Sequence, residues 1–485
     1  MKSDSDRVLH TLSPREKAFE LNLKRSIYGT FAEIGGGQEV AHLFFKAGQA
    51  SGTVAKAISA YDMRFSDSIY GPCKSYVSED RLKQILDKEY HLLIKRLTPR
   101  AKSTLFFAFA NTIQMASSRN NYVGHGWIGI RFQSHVNAEP NDFIAHVTLK
   151  EKSSTAQQRT LGIVGVNLLY ACYQDQQSPH VFVPSLLEGI SAEKIEIDMM
   201  RFSGPRFQYW DHRLLSLLMV KHGLTNATIF EANGNILQPY ETISQKNILL
   251  LRGRFKPVTK VITDMVESGW KAFHKESPNK SPKETIVLLE LSLKELASSK
   301  ESVDEEDFIE RADLLCALGY SVLISNFAEY YKLTRYLSAI MSEGKSLGIL
   351  LGVRALEKIF DEKYYQGTTG GLLKALSFIH GLNHYLYVYP TKFKNTGSKI
   401  LRARDSQISE RVKPLFDFFV QEKRILDIPT KNLDRLSIIS DDILSMIQSE
   451  NTGWEQYLPE EVVDKIKKNA LFGCPLNVPL ETDDE

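Results

Sequence analysis

Cysteine is scarce: four in 485 residues, at positions 73, 172, 316 and 474. No two stand at CxxC spacing, so neither a zinc site nor a dithiol redox pair is written into the chain. Four reduced thiols in a cytoplasmic protein is the expectation. Charge of one sign is missing as well. Sixty basic residues face 58 acidic ones, a net of +2, so no global field draws the chain onto nucleic acid or a membrane. No apolar run reaches the ~20 residues of a membrane span; the longest weakly polar stretch, residues 161–172, is much shorter. The opening MKSDSDR has no apolar h-region and predicts no secretory signal. The glycine stretch "EIGGGQEVAH" lacks both the Gly-Lys-Ser/Thr ending of a phosphate loop and the spacing GxGxxG. Internal repeats and low-complexity tracts are absent too.

What is present is an ordinary globular composition, 43% hydrophobic and 24% charged, enough for two to four domains with real cores. Residues 1–103 read as helical. Ser13-Pro14 makes a helix start, Gly35-Gly36-Gly37, Gly48 and Gly52 break the next stretch into short helices, and Ser78 caps a longer one. Residues 104–160 change period. "TLFFAFANT", "GHGWIGIRFQ" and "DFIAHVTLK" predict a small antiparallel sheet.

From 161 to 390, apolar runs alternate with helical segments. The runs are 163–171, 194–200, 227–232, 247–253, 285–293, 320–326, 346–352 and 384–390; the first is equally compatible with a buried helix. Continuous apolar strands joined by helices imply a mostly parallel sheet covered on both faces. The fold class is therefore α/β, with either a (β/α)8-like barrel or a doubly wound sheet. Asn233-Gly234 interrupts the pattern and suggests a hairpin. Residues 391–479 read as a helical C-terminal region and 480–485 as a disordered acidic tail.

The chemistry-bearing candidate is the junction "LLLRGRFKPVTKV". A strand ends at Arg252, a glycine and three cations (Arg252, Arg254, Lys256) fill the turn, and a helix follows. A helix N-terminus offers unpaired N–H groups to phosphate, Gly253 permits close approach, and cations neutralise charge in phosphoryl transfer. Ligands in parallel sheets collect at the C-terminal strand ends. Residues falling there include Asp198, Ser203, Glu231, Arg252, Arg254, Glu290, Ser325 and Asn326. Glu196 and Asp198 alternate with Ile195 and Ile197, which puts both carboxylates on one strand face. With Glu290 they are the candidates for metal or proton handling; Ser325 and Asn326 join the cations as ligand-binding residues. The implied ligand is a phosphorylated small molecule, such as a nucleotide with Mg²⁺. Nucleic-acid and membrane partners are not expected, and oligomerisation stays open.

Three further features are weighed against plain structural roles. "EIGGGQEVAH" places three glycines before a helix, a possible anion cradle, with Glu39 and His42 on one helical face. Lys56, Asp62 and Asp67 are read as solvent-facing or helix-end residues. Histidines 125, 146 and 212 are read as hydrogen-bonded or exposed.

Gly253-Arg254-Phe255-Lys256-Pro257 resembles the opening motif of the nucleotidyltransferases that make dinucleotides, the nicotinamide mononucleotide adenylyltransferases among them. That resemblance implies a triphosphate site and nucleotidyl transfer. Thr259 and Ile262 stand where that family has its two histidines. Over residues 25–390 the chain also resembles an uncharacterised bacterial family sometimes labelled nicotinamide-nucleotide adenylyltransferase. The segments that carry this likeness are "EIGGGQEVA", "GTVAKAISAYDM", "GHGWIGIRFQ", "KIEIDMMRFSGP", "DLLCALGYSVLISNF", "IFDEKYY" and "LYVYP". The reading is a nucleotide- or phosphometabolite-binding enzyme; the alternative is a non-catalytic α/β scaffold or assembly protein.

Overall fold

In the computed structural model, residues 12–116, 123–174, 178–275, 281–297, 303–381, 383–392, 399–449 and 451–475 are described. The proposed tail at 480–485 lies outside them. The chain divides into two compact units, residues 1–225 and 226–485.

The first unit runs α1 (Pro14–Leu23), β1 (Ile27–Gly35), α2 (Val40–Ala47), β2 (Val54–Ile58), α3 (Met63–Tyr70), α4 (Glu79–Arg96), β3 (Leu105–Gln114), β4 (Gly124–Phe132), β5 (Asn141–Leu149), α5 (Ser154–Cys172), α6 (Pro179–Ser185), β6 (Ile195–Ser203) and α7 (His212–Lys221). Its sheet has the order β2-β1-β3-β4-β5-β6. β1 is parallel to β2 and β3, and β3 to β6 run antiparallel. The three strands expected between 104 and 160 are therefore the middle of a larger mixed sheet.

Two expectations are corrected here. Residues 27–35 and 54–58 are strands, not helix. In β1, Ile27, Tyr28, Thr30, Phe31 and Ile34 favour extended backbone, and burial on both faces erases the alternation that marks a strand. Conversely, the run at 163–171 is helix α5. It is buried nearly all round, so it carries no amphipathic stripe. Gly162 and Gly165 let it approach α2: a Cβ on Gly162 would come within 2.7 Å of Glu39, and one on Gly165 would overlap Val40.

The second unit runs β7 (Ala227–Phe230), β8 (Ile236–Leu237), α8 (Pro239–Ile243), β9 (Asn247–Arg252), α9 (Lys260–Lys275), β10 (Thr285–Ser292), α10 (Leu293–Leu296), α11 (Glu305–Ala317), β11 (Ser321–Ser325), α12 (Tyr330–Ile340), β12 (Leu347–Gly352), α13 (Val353–Ile359), α14 (Gly371–Ile379), β13 (His384–Tyr389), α15 (Lys413–Gln421), β14 (Ile425–Asp427), α16 (Ser440–Gln448) and α17 (Glu460–Asn469). The strand order is β14-β13-β12-β9-β10-β11-β7-β8. From β14 to β11 every pairing is parallel; β7 and β8 close the far edge as an antiparallel hairpin. Gly234 takes φ +86° in its turn, as the Asn-Gly pair predicts.

This sheet is open and wound in two directions. Counted from β9, the parallel strands read 3-2-1-4-5-6, the order of a doubly wound sheet with its switch point between the first and fourth strands. Of the two architectures the sequence allows, this is the doubly wound one. Ile248, Leu250, Leu347, Ile349 and Leu351 face a core built with α12, α13, α14 and α15. Leu350 and Gly348 face α9 instead, meeting Gly269 and Phe273. The run at 194–200 does not belong to this sheet: it is β6 of the first unit.

Candidate functional site

The junction after β9 is the first strand-to-helix turn of the doubly wound sheet and lies at its switch point, beside the end of β12. Gly253 to Thr259 connect β9 to α9. Phe255 adopts φ +50° and is buried, and the Lys256–Pro257 peptide is cis.

Arg252, at the strand end, does not face a ligand. Its guanidinium lies along Glu290 on β10, with Nε donating to Oε2 at 2.5 Å and Nη2 to Oε1 at 2.9 Å. Nη1 and Nη2 also donate to the carbonyls of Ala328 and Phe327. Ser325, on β11, donates to Glu290 Oε1 at 2.6 Å and accepts the Phe327 N–H. The Tyr330 ring lies 4.8 Å from the guanidinium carbon. Glu290 and Ser325 are fully buried, and the Arg252 side chain is 7% exposed. Burial opposes the charge on Arg252, but Glu290 more than offsets it and raises its pKa. Arg252, Glu290 and Ser325 thus converge, but on one another. They lock the loop after β11 onto the ends of β9 and β10.

The remaining cations of the turn point elsewhere. Arg254 is exposed and pairs with Asp441 at 3.0 Å. Lys256 pairs with Asp307 at 2.6 Å. Asp307 also holds the buried Arg311, whose Nη1 donates to the carbonyls of Arg254 and Glu295. Lys260 donates to the Gln456 carbonyl. The C-terminal segment thereby contacts the turn through Asp441 and Gln456. Asn326 pairs with Asn226 through side chain and backbone. Glu231 accepts from Asn233 within the hairpin.

Glu196 and Asp198 belong to β6 of the first unit, so the pairing with Arg252, Arg254 and Lys256 that the sequence suggests has no shared sheet to make it. Glu196 accepts from Thr225 at 2.6 Å and pairs with Lys150 at 3.0 Å. Asp198 is the extra residue of a β-bulge: the register steps from Ile197 opposite Val147 to Met199 opposite His146. Asp198 Oδ1 accepts from His146 Nδ1 at 2.7 Å. His146 Nε2 lies 3.3 Å from His125 Nδ1. An aspartate that accepts at His146 Nδ1 leaves Nε2 as an acceptor for His125. Burial, then the neighbouring His146, push the His125 pKa down. The sequence predicts these histidines to be hydrogen-bonded or exposed, and His125 and His146 are hydrogen-bonded. Their positions on adjacent strands were visible, but the bulge that aims Asp198 at them was not.

The glycine cradle after β1 is occupied by the protein itself. The carboxylate of Glu33, buried in β1, accepts the N–H groups of Val40 at 2.9 Å and Ala41 at 3.0 Å. Those are the first amides of α2, the place an external anion would take. Burial pushes the Glu33 carboxyl up to about 7; the amides of Ala41 and Val40 and the side chain of Asn111 oppose that rise. Asn111 also donates to the Gly37 carbonyl at 2.8 Å.

Among the described residues no three His, Cys, Asp or Glu side chains are grouped to hold a metal ion, and no helix is long and apolar enough to cross a membrane. No family model matches the chain, and no curated protein matches it. Solved structures give partial likenesses. The competence/damage inducible protein CihA from Agrobacterium tumefaciens is 13% identical, with 33% of this chain and 96% of that one covered, at a TM-score of 0.22. A competence-damaged protein (CinA) superfamily protein from Klebsiella pneumoniae is 11% identical over 32% and 93%, at 0.23. One from Escherichia coli is 12% identical over 35% and 93%, at 0.22.

Proposed function

We propose that the protein is a nucleotide- or phosphometabolite-binding enzyme whose ligand sits at the switch point of the second unit. The observation that carries the reading is the strand order. In open doubly wound sheets the crevice outside the carboxyl ends of the first and fourth strands is where ligands bind, and here those strands are β9 and β12. Arg254 and Lys256 supply the phosphate contacts. The Arg254–Asp441 pair is exposed and of the kind worth ~0–1 kcal/mol, so a phosphate displaces Asp441 at little cost. Arg252, Glu290 and Ser325 act as positioning residues behind the turn, and Gly253 keeps the backbone accessible. Mg²⁺ would enter with the ligand's phosphates, which commonly supply most of its non-water ligands.

One observation favours a second reading. Arg252, Arg254 and Lys256 each have a carboxylate partner in their own unit, as a non-catalytic scaffold would need.

Thermal denaturation with ATP, NMN, NAD and sugar phosphates, each with and without Mg²⁺, separates the two. A ligand at 100 times its Kd stabilises the fold by ~2.7 kcal/mol. The enzyme reading expects a raised melting temperature with at least one of these ligands, abolished in the R254A/K256A double variant. No shift with any ligand, or an equal shift in the double variant, supports the scaffold.

A further inference from the structure

In the first unit, the C-terminal half of α4 leaves a cavity of about 170 Å³ against β1 and β2. None of its lining residues belongs to the switch-point site. One wall is apolar, made by Leu92 and Leu93 of α4 and Leu97 just beyond it, with the Tyr28 ring of β1. The Arg100 guanidinium lies over the Tyr28 ring at 4.0 Å. The polar groups converge from three elements: Thr30 of β1, Lys56 of β2, and Glu89 and Arg96 of α4.

Each polar group has a defined state. Glu89 is buried and committed, taking the Tyr70 hydroxyl at 2.8 Å and pairing with Lys56. Lys56 has three donors and gives Glu89 one of them. Thr30 is 1% exposed, yet among the described residues its hydroxyl has no hydrogen-bond partner. Buried hydroxyls are almost always satisfied. Thr30 borders the cavity, where a group from outside the chain would satisfy its hydroxyl.

Charge and size then restrict the occupant. Two cations stand against one carboxylate whose oxygens are already used, so the lining carries one uncompensated positive charge. A cavity of ~150 Å³ lined by aliphatic side chains and Phe holds benzene, so this one takes a ring or branched chain of about six carbons. We propose that it is a binding site for a small monocarboxylate with an aromatic or branched apolar body. The carboxylate meets Lys56 and Arg96, the Thr30 hydroxyl donates to it, and the body packs on the leucines and Tyr28.

Titration calorimetry of the full chain with benzoate, benzyl alcohol and benzylamine tests the assignment, because these probes share a body and differ in charge. Benzoate should saturate one site. Benzyl alcohol should bind about tenfold more weakly, the factor carried by one charge-assisted hydrogen bond, and benzylamine more weakly still. Arg96→Ala, at an exposed residue, and the isosteric Thr30→Val should each weaken benzoate severalfold. Ala55→Phe, which fills the cavity from the edge strand, should abolish binding. No saturable binding of benzoate at millimolar concentration overturns the proposal. So does benzylamine binding as tightly as benzoate, or benzoate binding unchanged in all three variants.

Discussion

Replacing Arg252 by alanine should destabilise the second unit more than replacing Glu290, although both substitutions break the same ion pair. Removing one partner of a buried pair costs ~3–5 kcal/mol, because the other charge is left uncompensated in a low-dielectric site. The two variants leave different remnants. In E290A, Arg252 keeps the carbonyls of Phe327 and Ala328, which places the cost near ~3 kcal/mol. In R252A, the fully buried Glu290 keeps, among the described residues, only the Ser325 hydroxyl as a side-chain partner, which places the cost at ~5 kcal/mol. The double variant should cost less than the sum of the two, since neither charge then stands alone. Two units need not unfold together, so the readout is native-state amide exchange of β9, β10 and β11 against denaturant. A cost for R252A below ~1 kcal/mol, the range of exposed pairs, or below that of E290A, would refute the reasoning.

Glu33 gives a pH signature. Its carboxyl is raised from 4.5 to about 7, so the folded state holds its proton more tightly than the unfolded chain. Its stabilising contribution is full below pH 4.5 and is lost as pH rises through 7, a change of ~3 kcal/mol. E33Q should flatten the first unit's stability between those values; an unchanged slope contradicts this. His380 has the opposite sense. Burial, Arg424 and His384 lower its pKa from 6.5 to about 3, and its ring stacks on Phe419 at 3.7 Å. Stability is therefore present above pH 6.5 and is lost as pH falls toward 3, and His380→Phe should remove that acid dependence from the second unit's denaturation midpoint. Gly348→Ala would bring a Cβ within 2.7 Å of the Phe273 ring and should cost ~1–3 kcal/mol by overpacking, read from the urea midpoint; no loss would mean that α9 packs more loosely than described.

The second unit was the more legible half. Its strands are continuous apolar runs separated by amphipathic helices, and β9 to β13 lie within a residue or two of where the runs at 247–253 through 384–390 put them. The strand order was not legible. No residue in β12 says that it returns to pair with β9 rather than adding beyond β11, because that choice rests on packing between distant segments. At β1 and α5 the first unit misled in opposite directions for one reason: both are buried on nearly all sides, and burial removes the periodicity that separates strand from helix. The cationic turn at 252–257 was found from its residue types. That Arg252 belongs to Glu290 follows from β9 and β10 pairing in register, Arg252 opposite Glu290, which a sequence does not print. Asp198 was picked for its alternation with Ile197, and its actual partner, His146, follows from a bulge that alternation conceals.

Amide exchange of the full chain, measured with and without a saturating nucleotide and Mg²⁺, bears most directly on the ligand site. The account predicts slowed exchange concentrated at residues 253–262 and 352–356, the turn after β9 and the start of α13. Protection that falls elsewhere, or none with any nucleotide or sugar phosphate, would contradict it.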